Sequence, residues 1–337
     1  MFVEATAPTR IDFAGGTLDI FPIYVILDGA VTVNSAISLR TRVRIEPRND
    51  KKIEIFSKDL NKKELIEDFK KIELNGNLDL IKNVVRNFGI ESGLNIETNS
   101  DAPEGSGLAA SSAMVIALVG ALNELCKRNL NKYQMLDLGL HSELQMLRYP
   151  GGKPSQDYFS SIEGGFNAIW YKHDRIEVER LKLSNNFLTE LKSNMILAYV
   201  GKSHFSAETN WKMFKNFIEK NPVTVQAMTN IKNVALKMRE ALSNETIEEI
   251  PKLLNEEMKN RRNLAEEVES QEVREVLNGA MAAGALGGKV CGAGGGGCVI
   301  IFAQKTTREN VIMSINSAGG KVLDFEFVDK GVEIIKG

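Results

Sequence analysis

The run Lys289-Val290-Cys291-Gly292-Ala293-Gly294-Gly295-Gly296-Gly297-Cys298 is the strongest local constraint in this chain. It contains G-x-G-x-x-G, but Cys298-Val299-Ile300-Ile301-Phe302 follows it and reads as a buried strand. A dinucleotide fingerprint requires strand, glycines and then a helix, so that reading fails. The run gains meaning beside a second glycine segment far upstream, Pro103-Glu104-Gly105-Ser106-Gly107-Leu108-Ala109-Ala110-Ser111-Ser112-Ala113. That segment follows the strand-like Leu94-Asn95-Ile96-Glu97-Thr98 and leads into a long apolar helix. Glycines allow close backbone approach, and a helix N-terminus offers unpaired N–H groups and a positive dipole end to an anion. Such a loop suits polyphosphate. No G-x-x-x-x-G-K-[ST] occurs, so the chain is not a P-loop protein.

A length of 337 residues allows one large or two ordinary domains. The net charge of −2 argues against a general nucleic-acid or anionic-membrane binder. No apolar run is long enough to span a bilayer, and Met1-Phe2-Val3-Glu4-Ala5-Thr6 lacks the blocks of a signal peptide. Cys126, Cys291 and Cys298 form no C-x-x-C pair, which predicts free thiols in a reducing cytoplasm.

The first hundred residues read as strand-rich, with Phe2–Phe13, Val31–Ile37, Arg40–Glu46 and Ile53–Phe56 as strands. Helices are expected at Leu80–Phe88, Met114–Leu125 and Tyr133–Tyr149, the second apolar nearly all round and therefore buried. Strands follow within Phe166–Leu183 and at Asn194–Val200, then long amphipathic helices from Asn210 to Ala283 with solvated Lys/Glu faces. A strand pair at Val299–Phe302 and Val322–Ile335 closes the chain. Without regular β-α-β alternation the pattern predicts an α+β fold, with a boundary near residues 180–195.

Several polar residues are candidates for chemistry. Leu136, Leu140, Glu143 and Leu147 share one helix face, so Glu143 enters an apolar stripe. It either coordinates a cation or sits at the stripe's edge and reaches water or a lysine. Asp157 follows Pro150-Gly151-Gly152-Lys153-Pro154 and opens a short helix ending at Gly164-Gly165; alone, it reads as a helix-start acid. In Thr9-Arg10-Ile11-Asp12-Phe13-Ala14-Gly15-Gly16-Thr17-Leu18-Asp19 a strand ends in a glycine turn beside an arginine. Arg10 alone is an ordinary strand arginine and Asp19 a turn-capping acid. Together these pieces describe a phosphoryl-transfer site with a backbone cradle, a cation, hard oxygen ligands and a carboxylate for an acceptor hydroxyl. His141, His173 and His204 lack metal-ligand spacing and read as ordinary residues, His204 being the nearest to the site. Cys291 and Cys298 read as small buried packing groups.

The three blocks Ala7-Pro8-Thr9-Arg10…Asp19, Pro103…Ala113 and Gly288-Lys289…Gly297, in that order, resemble the GHMP kinases. That is the family of galactokinase, homoserine kinase, mevalonate kinase and phosphomevalonate kinase. The resemblance spans nearly the whole chain. It implies a two-domain α+β fold, with residues 1–185 like ribosomal protein S5 domain 2 and residues 186–337 ferredoxin-like. It further implies ATP and Mg²⁺, with phosphates on Pro103, Gly105, Ser106, Gly107, Leu108, Ala109, Ala110, Ser111 and Ser112. Carried over by position, Asp157 and Arg10 match catalytic residues, and Ser111, Ser112 and Glu143 match Mg²⁺ ligands. Gly16, Thr17, Asp19, Gly294 and Gly295 fall where the acceptor binds.

Phe13-Ala14-Gly15-Gly16, Gly152-Lys153…Gln156-Asp157, Gly164-Gly165-Phe166-Asn167 and Ala285-Leu286-Gly287-Gly288-Lys289 are most similar to the D-glycero-D-manno-heptose 7-phosphate kinase branch. Departures lie around the acceptor. That branch has G-G-G-T-D where this chain has Gly15-Gly16-Thr17-Leu18-Asp19, Pro154-Ser155 is inserted, and Tyr158 stands where a second glutamine is usual. Val200-Gly201-Lys202-Ser203-His204 replaces T-G-x-x-R. The expectation is an ATP:sugar phosphotransferase, monomeric or homodimeric, acting on a sugar or sugar phosphate. Alternatives are a kinase of a non-sugar alcohol such as mevalonate, a diphosphomevalonate decarboxylase, and a silent sugar/nucleotide sensor.

Overall fold

The computed structural model describes residues 2–146, 155–201 and 206–337. Its first sheet is organised by a long antiparallel pair, β1 (Val3–Ala14) and β2 (Ala30–Pro47). The two strands expected at Val31–Ile37 and Arg40–Glu46 are one. The pairing passes from Pro8↔Arg40 to Thr9↔Ile37, so Ser38 and Leu39 form a bulge opposite the proline. Proline has no N–H for the ladder, which is why the register breaks there. Burial along β1 alternates at first and becomes continuous from Ala7 onward, where the strand enters the interior.

Five further strands of this sheet come from the same half of the chain: β3 (Ile53–Ser57), β4 (Lys62–Ile66), β5 (Leu94–Ser100), β6 (Phe166–Tyr171) and β7 (Ile176–Leu181). Helices α1 (Ile23–Ile26), α2 (Asp79–Phe88), α3 (Ala110–Leu125), α4 (Lys132–Leu144) and α5 (Gln156–Glu163) belong to the same half of the chain. Helix α3 packs against β1 and β2 and is flanked by α2, α4 and α5. Its apolar circumference is thus covered on every side, each buried Leu, Ile or Val contributing about 1.5–3 kcal/mol. Asn131 starts α4 through a capping box with Gln134. The part of the expected helix beyond Met146 lies outside the described residues.

The second half begins with α6 (Asn185–Asn194), which sequence periodicity had not revealed, and β8 (Met195–Tyr199). It continues through α7 (Ser206–Ile218), α8 (Pro222–Ser243), α9 (Glu249–Arg261), α10 (Gln271–Ala282), β9 (Gly287–Val290), β10 (Cys298–Phe302), α11 (Arg308–Ser317) and β11 (Lys321–Leu323). A four-stranded antiparallel sheet results, ordered β11-β8-β10-β9. The expected closing strand pair is corrected here. Strand β10 lies between β8 and β9, β11 pairs with β8, and the last strand β12 (Glu333–Lys336) returns to the first sheet beside β1. The expected mix of solvated faces also needs one correction, because α9 turns Glu257 and Arg261 fully inward.

The two glycine segments meet where the halves join. Cys298 N donates to Ser106 O at 2.7 Å, and Arg10 N donates to Leu108 O at 3.0 Å. A Cβ on Gly107 would lie 2.7 Å from Cys291 O, and one on Gly292 would lie 2.8 Å from Gly107 O. Backbone therefore packs on backbone. Gly107→Ala is expected to lower the thermal midpoint, costing about 2–4 kcal/mol from overpacking plus the strain of a positive φ. Gly319→Ala is the control: its φ is also positive, at +82°, but nothing lies within 4 Å of the added carbon. It should cost only about 1–2 kcal/mol. Equal losses in the two variants would refute the steric argument.

Candidate active site

The loop between β5 and α3 is shaped by three left-handed residues, Gly105 (φ 66°), Gly107 (φ 71°) and Ala109 (φ 64°). Ala109 precedes α3 with no side-chain cap, and the first turn carries no acid. The opening N–H groups and the positive helix end are therefore left to an anion. Ser106 is buried and its carbonyl accepts from Cys298 N at the end of the downstream glycine run, whereas Ser111 is exposed.

Arg10 sits under this loop, almost wholly buried. Its Nε and Nη2 both donate to Asp157 Oδ1, at 2.9 and 2.7 Å, and Nη1 donates to Gly107 O at 2.7 Å. Burial opposes the charge, but Asp157 and Asp12 outweigh it and raise the guanidinium pKa. Because Oδ1 takes both bonds, Oδ2 is the Asp157 oxygen available to a hydroxyl. Asp157 lies in the first turn of α5. Gly164 ends that helix, as the sequence predicts.

Four charged residues that sequence reasoning did not assign complete the joint. Lys289 Nζ donates to Asp12 Oδ2 at 2.7 Å and to Asp12 O at 2.8 Å, while Gly292 N donates to Asp12 Oδ1 at 2.9 Å. Burial works to raise the Asp12 carboxyl, yet Lys289, Arg10 and Arg261 bring it below its ordinary value. From α9, Arg261 donates to Gly16 O at 3.1 Å and Gly292 O at 2.6 Å, and Glu257 accepts Gly15 N at 3.2 Å. The first and third glycine motifs are thus held by one helix. The signal was faint: Glu257 and Arg261 sit in a Lys/Glu-rich stretch, distinguished only by lying four residues apart on the apolar side.

Glu143 accepts a short hydrogen bond from the Tyr158 hydroxyl, and that hydroxyl also interacts with the Ser112 hydroxyl. Burial, then Glu143, holds the Tyr158 pKa well above its ordinary value, so it remains a donor. Glu143 and Ser111 line the cleft; Ser112 is fully buried behind them. One carboxylate and one hydroxyl fit Mg²⁺, which takes few protein ligands beside phosphate oxygens and water. Ser112 would act through Tyr158 and the orientation of Glu143.

The cleft has a volume of about 470 Å³. Its walls include the apolar Leu60, Leu78, Ile81, Met114, Ile20, Trp211 and Phe214 together with Arg10, Glu143, Asp157 and the glycine loop that starts at Pro103. Gly16 and Thr17 line the cleft. Asp19 is buried beside them, with Oδ2 accepting Gln156 N at 3.0 Å and Oδ1 unpartnered. Burial pushes its carboxyl up to about 7. Gly294 and Gly295 do not reach the cleft. Gly295 N donates to Val268 O at 2.9 Å, and Gly292 and Ala293 line the wall in their place. His141 and His173 are exposed and bonded to Asp137 O and Asp28; His204 lies outside the described residues. Cys291 is buried, its thiol pushed up to about 12, and Cys298 is likewise buried and raised; both are packing groups. Among the described residues no helix is long and apolar enough to cross a membrane.

Residues 76–165 match the family model for the GHMP kinases N terminal domain, and residues 238–321 match that for the GHMP kinases C terminal. The chain is 29% identical to the D-glycero-alpha-D-manno-heptose 7-phosphate kinase of Campylobacter jejuni, over 98% of each chain. It is 28% identical to the mevalonate kinase of Pyrococcus furiosus, over 99% of this chain and 98% of that one. Among solved structures it superposes on a D-glycero-D-manno-heptose 1-phosphate kinase from B. thetaiotaomicron with a TM-score of 0.81. The two are 28% identical, and 99% of each chain is covered.

Glu257 supplies a pH test of the buried joint. Burial raises its carboxyl from 4.5 to about 7, against the pull of Lys289 and Arg261. A raised folded pKa means stability that is complete below the unfolded pKa and lost as pH rises through the folded one. Glu257→Gln resembles the protonated form. The thermal midpoint of the variant relative to the parent should therefore be higher at about pH 8.5 than at about pH 5. A difference independent of pH would mean that the carboxyl titrates as it does in the unfolded chain.

Proposed function

The chain belongs to the GHMP kinase family and is a phosphotransferase of that family, and we propose that its acceptor is a sugar or sugar phosphate. The single observation that carries the catalytic reading is the Arg10–Asp157 pair in the cleft beside the glycine loop. GHMP kinases use ATP as phosphate donor. The Pro103–Ser111 loop would hold its phosphates by backbone N–H groups and the α3 terminus, with Ser111 and Glu143 as ligands for Mg²⁺. Bound there, the metal would neutralise phosphate charge.

The chain's own residues supply positioning and proton handling. Arg10 fixes the Asp157 rotamer through Oδ1, which turns Oδ2 to the acceptor hydroxyl. Asp157 orients that hydroxyl and takes its proton as the oxygen attacks. Arg10 also offsets negative charge between acceptor and phosphate, and its bond to Gly107 O ties this cation to the phosphate loop. Gly16 and Thr17 would contact the acceptor, and Asp19 would hold Gln156, and with it the start of α5, in place.

The heptose 7-phosphate kinase relative and the heptose 1-phosphate kinase structure support the sugar reading. The mevalonate kinase relative favours a second one, a non-sugar alcohol in the same cleft. An ADP-release assay with Mg-ATP decides between them, using D-galactose, D-mannose, L-fucose, D-glucuronate, D-glycero-D-manno-heptose and its 7-phosphate, with mevalonate and homoserine beside them. Turnover of one of the six sugars is expected, and turnover of mevalonate alone would overturn the sugar reading. With the preferred acceptor, Asp157→Asn should lower kcat by about 10²–10⁴ while nucleotide still binds. Near-parental kcat in that variant would remove Asp157 from the catalytic role.

A further inference from the structure

Three buried amides form a line that ends in the cleft. Asn167, on β6, donates from Nδ2 to the carbonyls of Gly164 and Gly165, at 2.9 and 3.2 Å, and to Asn34 Oδ1 at 3.4 Å. Asn34, on β2, donates from Nδ2 to Gln156 Oε1 at 3.3 Å. Asn34 and Asn167 are fully buried, and Gln156 is 2% exposed at the cleft wall, immediately before Asp157.

The direction of this line is dictated from one end. Backbone carbonyls can only accept, so Asn167 must turn its NH₂ toward Gly164 and Gly165. Its shared NH₂ then faces Asn34 Oδ1, which leaves the Asn34 NH₂ for Gln156 Oε1. The group remaining on Gln156 is Nε2, a donor. It lies 3.6 Å from the point where a Cβ on Gly16 would stand. Gly16 and Gln156 both line that cleft, so the amide borders the space an acceptor would fill.

Building on the sugar-kinase reading, we infer that Gln156 is a specificity-determining residue that donates an Nε2–H bond to an oxygen of the acceptor, next to the hydroxyl presented to Asp157. Asn34 and Asn167 are positioning residues that hold the amide in the donating orientation. The site therefore selects an acceptor with an oxygen, neutral or anionic, beside the reacting hydroxyl, and disfavours one with an apolar or ammonium group there.

The test is steady-state kinetics on the full chain, with whichever of the six sugars above gives the highest parental kcat/KM as the probe. Gln156→Met keeps the length and loses the donor. It should raise the acceptor KM about tenfold and leave the ATP KM within about twofold, while the thermal midpoint falls somewhat because the Asn34 amide loses its acceptor. Asn34→Asp cannot donate to Oε1, which frees the Gln156 amide to rotate, and should raise the acceptor KM in the same direction. An unchanged acceptor KM in Gln156→Met overturns the assignment. So does a parallel rise in both KM values, the mark of a purely structural role. Silence of the parental chain with all six sugars overturns the sugar reading and this inference with it. Near-parental kcat in Asp157→Asn removes the catalytic reading alone and leaves a Gln156 effect on KM visible.

Discussion

The contact on which the rest of this structure depends is backbone against backbone, between the Pro103–Ala109 loop and the Cys291–Gly297 run. Gly107, Gly292 and Gly297 each stand where a side chain would collide with a main-chain carbonyl of the opposing segment. Only glycine permits that approach, and several of these residues also hold a positive φ. The approach places a strand–helix loop from one half of the chain on a strand-ending loop from the other. Cys298 N and Ser106 O then join the two sheets by a hydrogen bond.

Charge is the second layer of the same joint. Asp12, Lys289, Glu257 and Arg261 are fully buried within it. Buried ions recover their desolvation cost only where partners and hydrogen bonds are well placed. Here the partners are largely main-chain groups of Gly15, Gly16 and Gly292, so the charges hold loop conformations that no hydrophobic contact could specify. Arg10 extends this network to Gly107 and Asp157. A single connected set of polar contacts thereby sets the distance between the Gly107 loop and the Asp157 carboxylate, which under the proposed function is the quantity a positioning catalyst has to control.

Much of the fold was legible along the chain. The all-round apolar character of Met114–Leu125 announced a buried helix, and alternating patterns announced most strands of the first sheet. The break between Ile37 and Arg40 was read as two strands because periodicity does not distinguish a bulge from a turn. The terminal segment was misassigned because Val322 and Ile335 carry similar local signals yet pair in different sheets, a matter of long-range partners alone. Helix α6, polar apart from Phe187, Leu188 and Leu191, had too short a stripe to be seen.

Residue order by itself determined the family, through three motif blocks in a fixed order, and by that resemblance marked Arg10, Glu143, Asp157 and the Pro103–Ser112 loop as candidates for the proposed site. It also determined that the glycine runs had to be loops under close approach. Tertiary structure alone decided which side chains reach the cleft: Ser111 and not Ser112, Gly292 and Ala293 and not Gly294 and Gly295. It alone drew Glu257, Arg261 and Lys289 inward and aligned Asn167, Asn34 and Gln156. The reason is physical. A charged or amide side chain reads as polar in any sequence window, and whether it is solvated or buried depends on the partners that other segments bring to it.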